Sequence, residues 1–166
     1  MRHRGLTPQG WLETKQGRVH YQSGYEKHFM IWLDQHDIPW KKCKERFPYT
    51  TSYDDKKHTY NPDFIVTLDK DYYVETKGAI RRNDPFKFSA FPLSLPLVLL
   101  GYDELHNQLN LPVFNPEPDP SKIDRTKWPY KLLSNIPDFM ELGVLTEELK
   151  QRVDPTHFMQ ELKKRA

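Results

Sequence analysis

The chain has one cysteine in 166 residues, Cys43, so an internal disulfide is excluded, as is any metal site built on several thiolates. Long apolar runs are lacking too. The longest, Leu93 to Leu100, is interrupted by Ser94 and Pro96 and falls far short of the roughly 20 residues that a membrane span needs. No amino-terminal stretch has the apolar core of a signal peptide. These absences predict a soluble protein of a reducing, cytoplasmic compartment with no membrane partner. A P-loop, an H-E-x-x-H helix and a G-x-S-x-G elbow are missing as well, which leaves nucleotide hydrolysis, zinc proteolysis and serine esterase chemistry without their usual residues. The seven histidines (His3, His20, His28, His36, His58, His106 and His157) show no ligand spacing such as H-x₃-H, which argues against zinc.

What is present is enough for one ordinary domain. Leu, Ile, Val and Phe make up 40 of the 166 residues, above the range of disordered chains. Net charge is only +2, but it is uneven: residues 1–90 hold 16 Lys and Arg against 12 Asp and Glu, and residues 91–166 hold 9 against 11. A basic first half hints at nucleic acid, although an ordinary surface of mixed charge gives the same count. Nine of the fourteen prolines lie between Pro85 and Pro137, and Pro112, Pro116, Pro118 and Pro120 are incompatible with a helix. They predict a core over residues 1–110. Residues 111–166 are expected to form a Pro-rich connection and helices, over Leu132 to Leu149 and His157 to Arg165, that pack on the core or on a partner.

Within the core, Ser23 with Glu26 three residues on is a capping box, and Tyr25, Phe29, Trp32 and Leu33 form one stripe. The spacing predicts a helix over 24–35. Residues Trp40 to Phe47 read as a basic edge strand leading into a polar loop, Thr50 to His58. Thr59 to Leu68 and Asp71 to Lys77 read as the two strands of a β-hairpin turning at Asp69 to Asp71. Arg81 to Ala90 reads as a polar and aromatic connection, and Leu95 to Tyr102 as a buried strand. Together these elements predict an α/β fold.

The most informative feature is Tyr60-Asn-Pro-Asp63-Phe, with Glu75-Thr-Lys77-Gly beginning after eleven residues counted from Asp63. Two carboxylates and an amine on adjacent strands suit a hard cation such as Mg²⁺, with Lys77 to steady developing charge. The plainer account is a cross-strand ion pair worth about 0.2–1 kcal/mol. Hairpin register decides whether the groups converge. A two-residue turn pairing Leu68 with Asp71 sets Asp63 against Thr76 and throws Glu75 to the other face. A three-residue turn pairing Leu68 with Tyr72 sets Ile65 against Glu75 and Asp63 against Lys77, and we expect this parity or a bulge that restores it.

Ser23-Gly-Tyr-Glu26, His58-Thr-Tyr-Asn-Pro-Asp63-Phe and Val74-Glu-Thr-Lys-Gly78 together resemble the PD-(D/E)xK nuclease superfamily, most closely the phage T7-type endodeoxyribonuclease I family of junction-resolving enzymes. The resemblance spans about residues 18–80. It implies a restriction-endonuclease-like core with a mixed central sheet flanked by helices, and Mg²⁺- or Mn²⁺-dependent hydrolysis of branched or distorted duplex DNA. It also implies one or two ions held by Asp63, Glu75, the Thr76 carbonyl and Glu26, with Lys77 as the catalytic lysine. A bacterial or phage-infected cell and a homodimer are further expectations. Transposon-end nucleases similar to TnsA and restriction enzymes, which work with partner proteins or on plain duplex, carry motifs of the same type. A non-catalytic DNA-binding module is the third reading. After Gly78 the pattern is lost.

Around the motif, Lys41, Lys42, Lys44, Arg46, Lys56, Lys57, Arg81 and Arg82 are candidates for tracking phosphates, with His58 as a contact to phosphate or water. Their alternative is a solvated edge that resists aggregation. Trp40 and Trp128 suit stacking on unpaired bases, yet such residues more often pack in a core.

Overall fold

The computed structural model of the protein describes residues 9–78, 80–113 and 145–166. It opens on a hairpin, β1 (Gly10–Thr14) with β2 (Gly17–Tyr21), which the sequence reading passed over. Helix α1 (Gly24–Gln35) follows with the expected bounds. Ser23 caps it, its hydroxyl accepting the Glu26 N–H at 3.2 Å. At the other end Asp37 takes φ 53°. The Ile38 N–H then reaches back to the Leu33 carbonyl and the Asp37 N–H to that of Asp34, which satisfies the last turn and aims the chain into the sheet.

The central sheet has the order β3-β6-β7-β8, from β3 (Trp40–Lys42), β6 (Phe64–Thr67), β7 (Asp71–Thr76) and β8 (Leu97–Leu100). Three pairings of this kind make a mixed sheet: β3-β6 and β6-β7 are antiparallel, β7-β8 parallel. A parallel pair needs a crossover. The segment expected to be a plain connection, Arg81 to Ala90, supplies it, because Asp84-Pro85 starts a short helix, α2 (Asp84–Ala90).

The expected strand Thr59 to Leu68 is two elements. Pro62 cannot donate to a ladder, so the chain breaks there. β5 (His58–Tyr60) pairs with β4 (Phe47–Tyr49) in a separate two-stranded sheet, and β6 resumes at Phe64. The basic strand Trp40 to Phe47 is likewise split, its first three residues forming the sheet edge and Phe47 opening β4.

Both faces of the sheet are covered, which explains near-continuous apolar strands. Phe64, Val66, Tyr72, Val74, Val98 and Leu100 pack with Phe29, Met30 and Leu33 of α1. Ile65, Tyr73 and Leu97 pack with Tyr49, Tyr60, Phe88 and Phe91. Trp40 lies in the first cluster, so it is a core residue and not a base-stacking platform. After β8 comes a π-helical turn, Asp103–Gln108. The carboxyl-terminal helices, α3 (Glu147–Arg152) and α4 (Thr156–Lys164), pack on this core. Phe158, Met159 and Leu162 join the first cluster, and the Leu99 N–H donates to the Val153 carbonyl, covering the β8 edge. Most of the Pro-rich connection, the predicted helix up to residue 144, and Trp128 lie outside the described residues.

Phe64 ties these layers together: it has no exposed surface and sits 5.8 Å from the Phe29 ring and 5.7 Å from that of Trp40. Phe64→Ala is expected to cost about 3–5 kcal/mol, read as a lowered denaturant midpoint at unchanged slope.

Candidate functional site

The β6-β7 register brings the motif residues together. Thr67 pairs with Asp71 and Phe64 with Val74, so the three-residue loop is Leu68 to Lys70, one residue earlier than expected. The ladder is displaced by two from the anticipated one. It keeps the same parity, but Ile65 faces Tyr73 instead of Glu75, and Asp63, just before β6, comes level with Glu75 instead of Lys77.

Asn61 and Pro62 deliver Asp63 to this place. The Asn61 amide donates to the Cys43 and Glu45 carbonyls at 2.7 and 2.6 Å, pinning the exit of β3, and the Cys43 N–H donates to the Asp63 carbonyl at 3.3 Å. Asp63 Oδ2 then accepts from the Thr76 N–H at 2.9 Å and the Thr76 hydroxyl at 2.8 Å. Glu75 is buried, 6% exposed; its Oε1 accepts from the Tyr60 hydroxyl at 2.9 Å and its Oε2 lies 3.6 Å from Lys77 Nζ. Glu26 is buried too. Its Oε2 accepts from the Gln22 N–H at 3.3 Å and from Lys42 Nζ at 3.2 Å, so the helix-borne acid closes the cap one residue upstream of Ser23 and also holds a cation.

Electrostatics link the acids in the series Glu26, Asp63, Glu75. Burial, then the nearby Glu26 charge, raises Asp63 to about 6 against the pull of its Thr76 hydrogen bonds. Burial, then the Asp63 charge, raises Glu75 to about 8 despite Lys77 and Tyr60. Burial alone would lower the Lys77 ammonium, but the charges of Glu75 and Asp84 outweigh it and lift Lys77 above the ordinary lysine range. Lys77 is therefore a cation at neutral pH. Burial, then the Glu75 charge, keeps the Tyr60 phenol neutral, a donor to Glu75.

Tyr60, Asp84 and Lys87 carry no functional role in the sequence alone, and Lys42 takes a different one from that expected. Tyr60 stood in the quoted motif as a strand residue. Lys42 stood among the phosphate-tracking residues; its ammonium is taken up by Glu26 and lies 4.8 Å over the Phe64 ring. Asp84, fully enclosed, pairs with Lys77 at 3.3 Å and with Lys87 at 3.4 Å. The available signal was Asp84-Pro85 as a helix start.

Four carboxylates thus share three ammonium groups, a deficit that a proton or a cation must make good. Among the described residues no three His, Cys, Asp or Glu side chains are grouped to hold a metal ion. Glu26 is engaged by Lys42 at 3.2 Å. Asp63 and Glu75 remain as two neighbouring carboxylates, and Mg²⁺ is usually held by one or two such groups with water in its other positions.

The remaining basic candidates are peripheral to the acids. Lys41, Lys44 and Arg46 are exposed near the β3 edge. Lys56, Lys57, Arg81 and Arg82 are exposed on two segments joined by Tyr53, whose ring lies 4.2 Å from the Arg82 guanidinium and whose hydroxyl donates to Asn83. His58 stacks on Tyr49 and contacts the Asp54 carboxylate at 3.0 Å, so a side chain is its partner. No known protein family, curated protein or solved structure matches this chain.

The folded Glu75 keeps its proton up to about 8, whereas an unfolded one releases it near 4.5. The folded state therefore binds more protons between those values, and stability falls as pH rises through that window. In thermal melts without divalent cations, wild type is expected to lose stability from pH 6 to pH 8, above the Asp63 value of about 6. Glu75→Gln, which stays neutral and still accepts from Tyr60, is expected to flatten the slope. An equal slope in both proteins would refute the assignment to Glu75.

Proposed function

We propose that this chain is a divalent-metal-dependent endodeoxyribonuclease that hydrolyses DNA phosphodiester bonds, acting on branched or distorted duplex. In this reading it is a PD-(D/E)xK enzyme with a restriction-endonuclease-like core, similar to the T7-type junction-resolving family. The supporting observation is the charge deficit at Asp63 and Glu75, two buried carboxylates with raised proton affinity beside the Lys77 ammonium.

Asp63, Glu75 and the Thr76 carbonyl would hold Mg²⁺ or Mn²⁺, which would supply Lewis acidity and lower the pKa of an attacking water. The chain's own groups do the rest. Thr76 orients Asp63 through two hydrogen bonds, and Tyr60 orients Glu75. Lys77, protonated, donates to the non-bridging oxygens of the scissile phosphate as negative charge builds there. It does not take the proton of the attacking water. Water adds to phosphorus and gives up a proton to bulk solvent, the bond to the leaving sugar oxygen breaks, and that oxygen takes a proton from solvent. The exposed lysines and arginines around the site contact flanking phosphates, so affinity falls with salt.

Fluorescent four-way junction and linear duplex, incubated across a Mg²⁺ titration, test this directly. Cleavage of the junction but not the duplex is expected, with Lys77→Ala slower by about 10²–10³-fold. Equal cleavage of both substrates would favour a transposon-end or restriction type of nuclease. Cleavage of neither would favour DNA binding without chemistry, a reading to which the engagement of Glu26 by Lys42 lends weight.

Glu26 separates structure from chemistry. Glutamine at that position still accepts from the Gln22 N–H but carries no charge. The Lys42 side chain is 29% exposed and can turn its ammonium to solvent, so Glu26→Gln is expected to melt within a few degrees of wild type while Mg²⁺-dependent cleavage falls at least about tenfold. Full activity in that variant would make Glu26 a capping residue alone.

A further inference from the structure

Asp84 has no assigned role in the chemistry above, yet no charged residue among the described residues is more completely enclosed. Its Oδ2 accepts from the Arg81 N–H at 2.7 Å, and its own N–H donates to the Arg81 carbonyl at 3.0 Å. This closed turn fixes the direction of the carboxylate. Oδ1 lies 3.3 Å from Lys77 Nζ and 3.4 Å from Lys87 Nζ. On its other side Lys77 meets Glu75 Oε2 at 3.6 Å, so one ammonium stands between carboxylates from two elements, β7 and α2. Lys87 lies 5.6 Å over the Tyr60 ring, whose hydroxyl bonds Glu75.

Stability is a poor account of this arrangement. Buried ion pairs are on average no more stabilising than apolar groups of the same volume, because desolvation offsets the Coulombic gain. Position is a better one. A lysine side chain has a flexible four-carbon stem and large rotamer entropy, and the long contact with Glu75 is a weak tether. A second carboxylate on a helix packed against the sheet restricts the ammonium to one place.

We infer that Asp84 is a positioning residue: from the first turn of α2 it holds the Lys77 ammonium beside Glu75 and acts on the reaction through Lys77. The kinetic consequence rests on the nuclease reading above; the placement of Lys77 does not. Two readouts keep them apart.

The first is the side-chain ammonium NMR signal of Lys77, assigned by its loss in Lys77→Ala. In wild type it is expected to be distinct and slow to exchange with water, and in Asp84→Asn to merge with the averaged signals of exposed lysines. An unchanged signal would overturn the inference. The second is cleavage of the four-way junction. Asp84→Asn is expected to lower kcat about 10–100-fold with KM little changed. Lys77→Ala/Asp84→Asn is expected to be no slower than Lys77→Ala alone. A further loss in the double variant would mean that Asp84 acts by another route and would overturn the inference. If wild type cleaves no DNA, the nuclease reading fails while the NMR arm still decides the role of Asp84.

Removing one partner of a buried pair is strongly destabilising. Asp84→Asn/Lys87→Met, which removes one charge of each sign, is therefore run alongside, with the same loss of Lys77 order and of kcat expected.

Discussion

Carboxylates withdrawn from water without enough positive charge to match them are the constraint around which this molecule is arranged. Glu26, Asp63, Glu75 and Asp84 are set against Lys42, Lys77 and Lys87, and burial, then the neighbouring carboxylate charge, raises the proton affinity of Asp63 and Glu75. Such a cluster is costly to build. Elements from every part of the core converge on it: α1 brings Glu26, β3 brings Lys42, the end of β5 brings Tyr60, β7 brings Glu75 with Lys77 just after it, and α2 brings Asp84 and Lys87.

The sheet makes that assembly rigid. Apolar packing on both faces fixes the register of β6 on β7, and because side chains alternate, a slip of one residue would send Glu75 to the opposite face. Pro62 ends the ladder at the point where Asp63 must turn to the Thr76 N–H. Asn61 meanwhile ties that break to the β3 exit, so a discontinuity in the strand is itself held by hydrogen bonds. The parallel pairing of β8 forces a crossover, and the crossover places α2 where Asp84 meets Lys77.

Much of this was legible in the chain. The Ser23 cap and the 3.6-residue stripe gave α1 its bounds, and the run Tyr72-Tyr-Val-Glu-Thr76 gave β7 to within a residue. The parity that unites Asp63 with Glu75 was legible as one of two choices, but loop position was not, since Leu68 to Asp71 contains several residues equally suited to a turn. The β1-β2 hairpin went unread because its loop, Lys15-Gln16, lacks the usual turn residues. Helix α2 is seven residues long, too short for periodicity to register, and its neighbours look like a loop. The Asp84-Lys77 pair depends on the crossover, and no local pattern reports a contact made by tertiary packing. Glu26 is the subtler case: the cap was visible, but its engagement by Lys42 arises where the β3 edge passes α1.

The central claim is that Asp63 and Glu75 form the seat of a divalent cation, and calorimetric titration of the full chain with Mn²⁺ at pH 7, in buffers of different ionisation enthalpy, tests it most directly. Because Glu75 carries its proton up to about 8, binding should release about one proton per ion. Asp63→Asn/Glu75→Gln should abolish both the heat and the proton release. Unchanged binding in that variant, or no binding in wild type, would contradict the account.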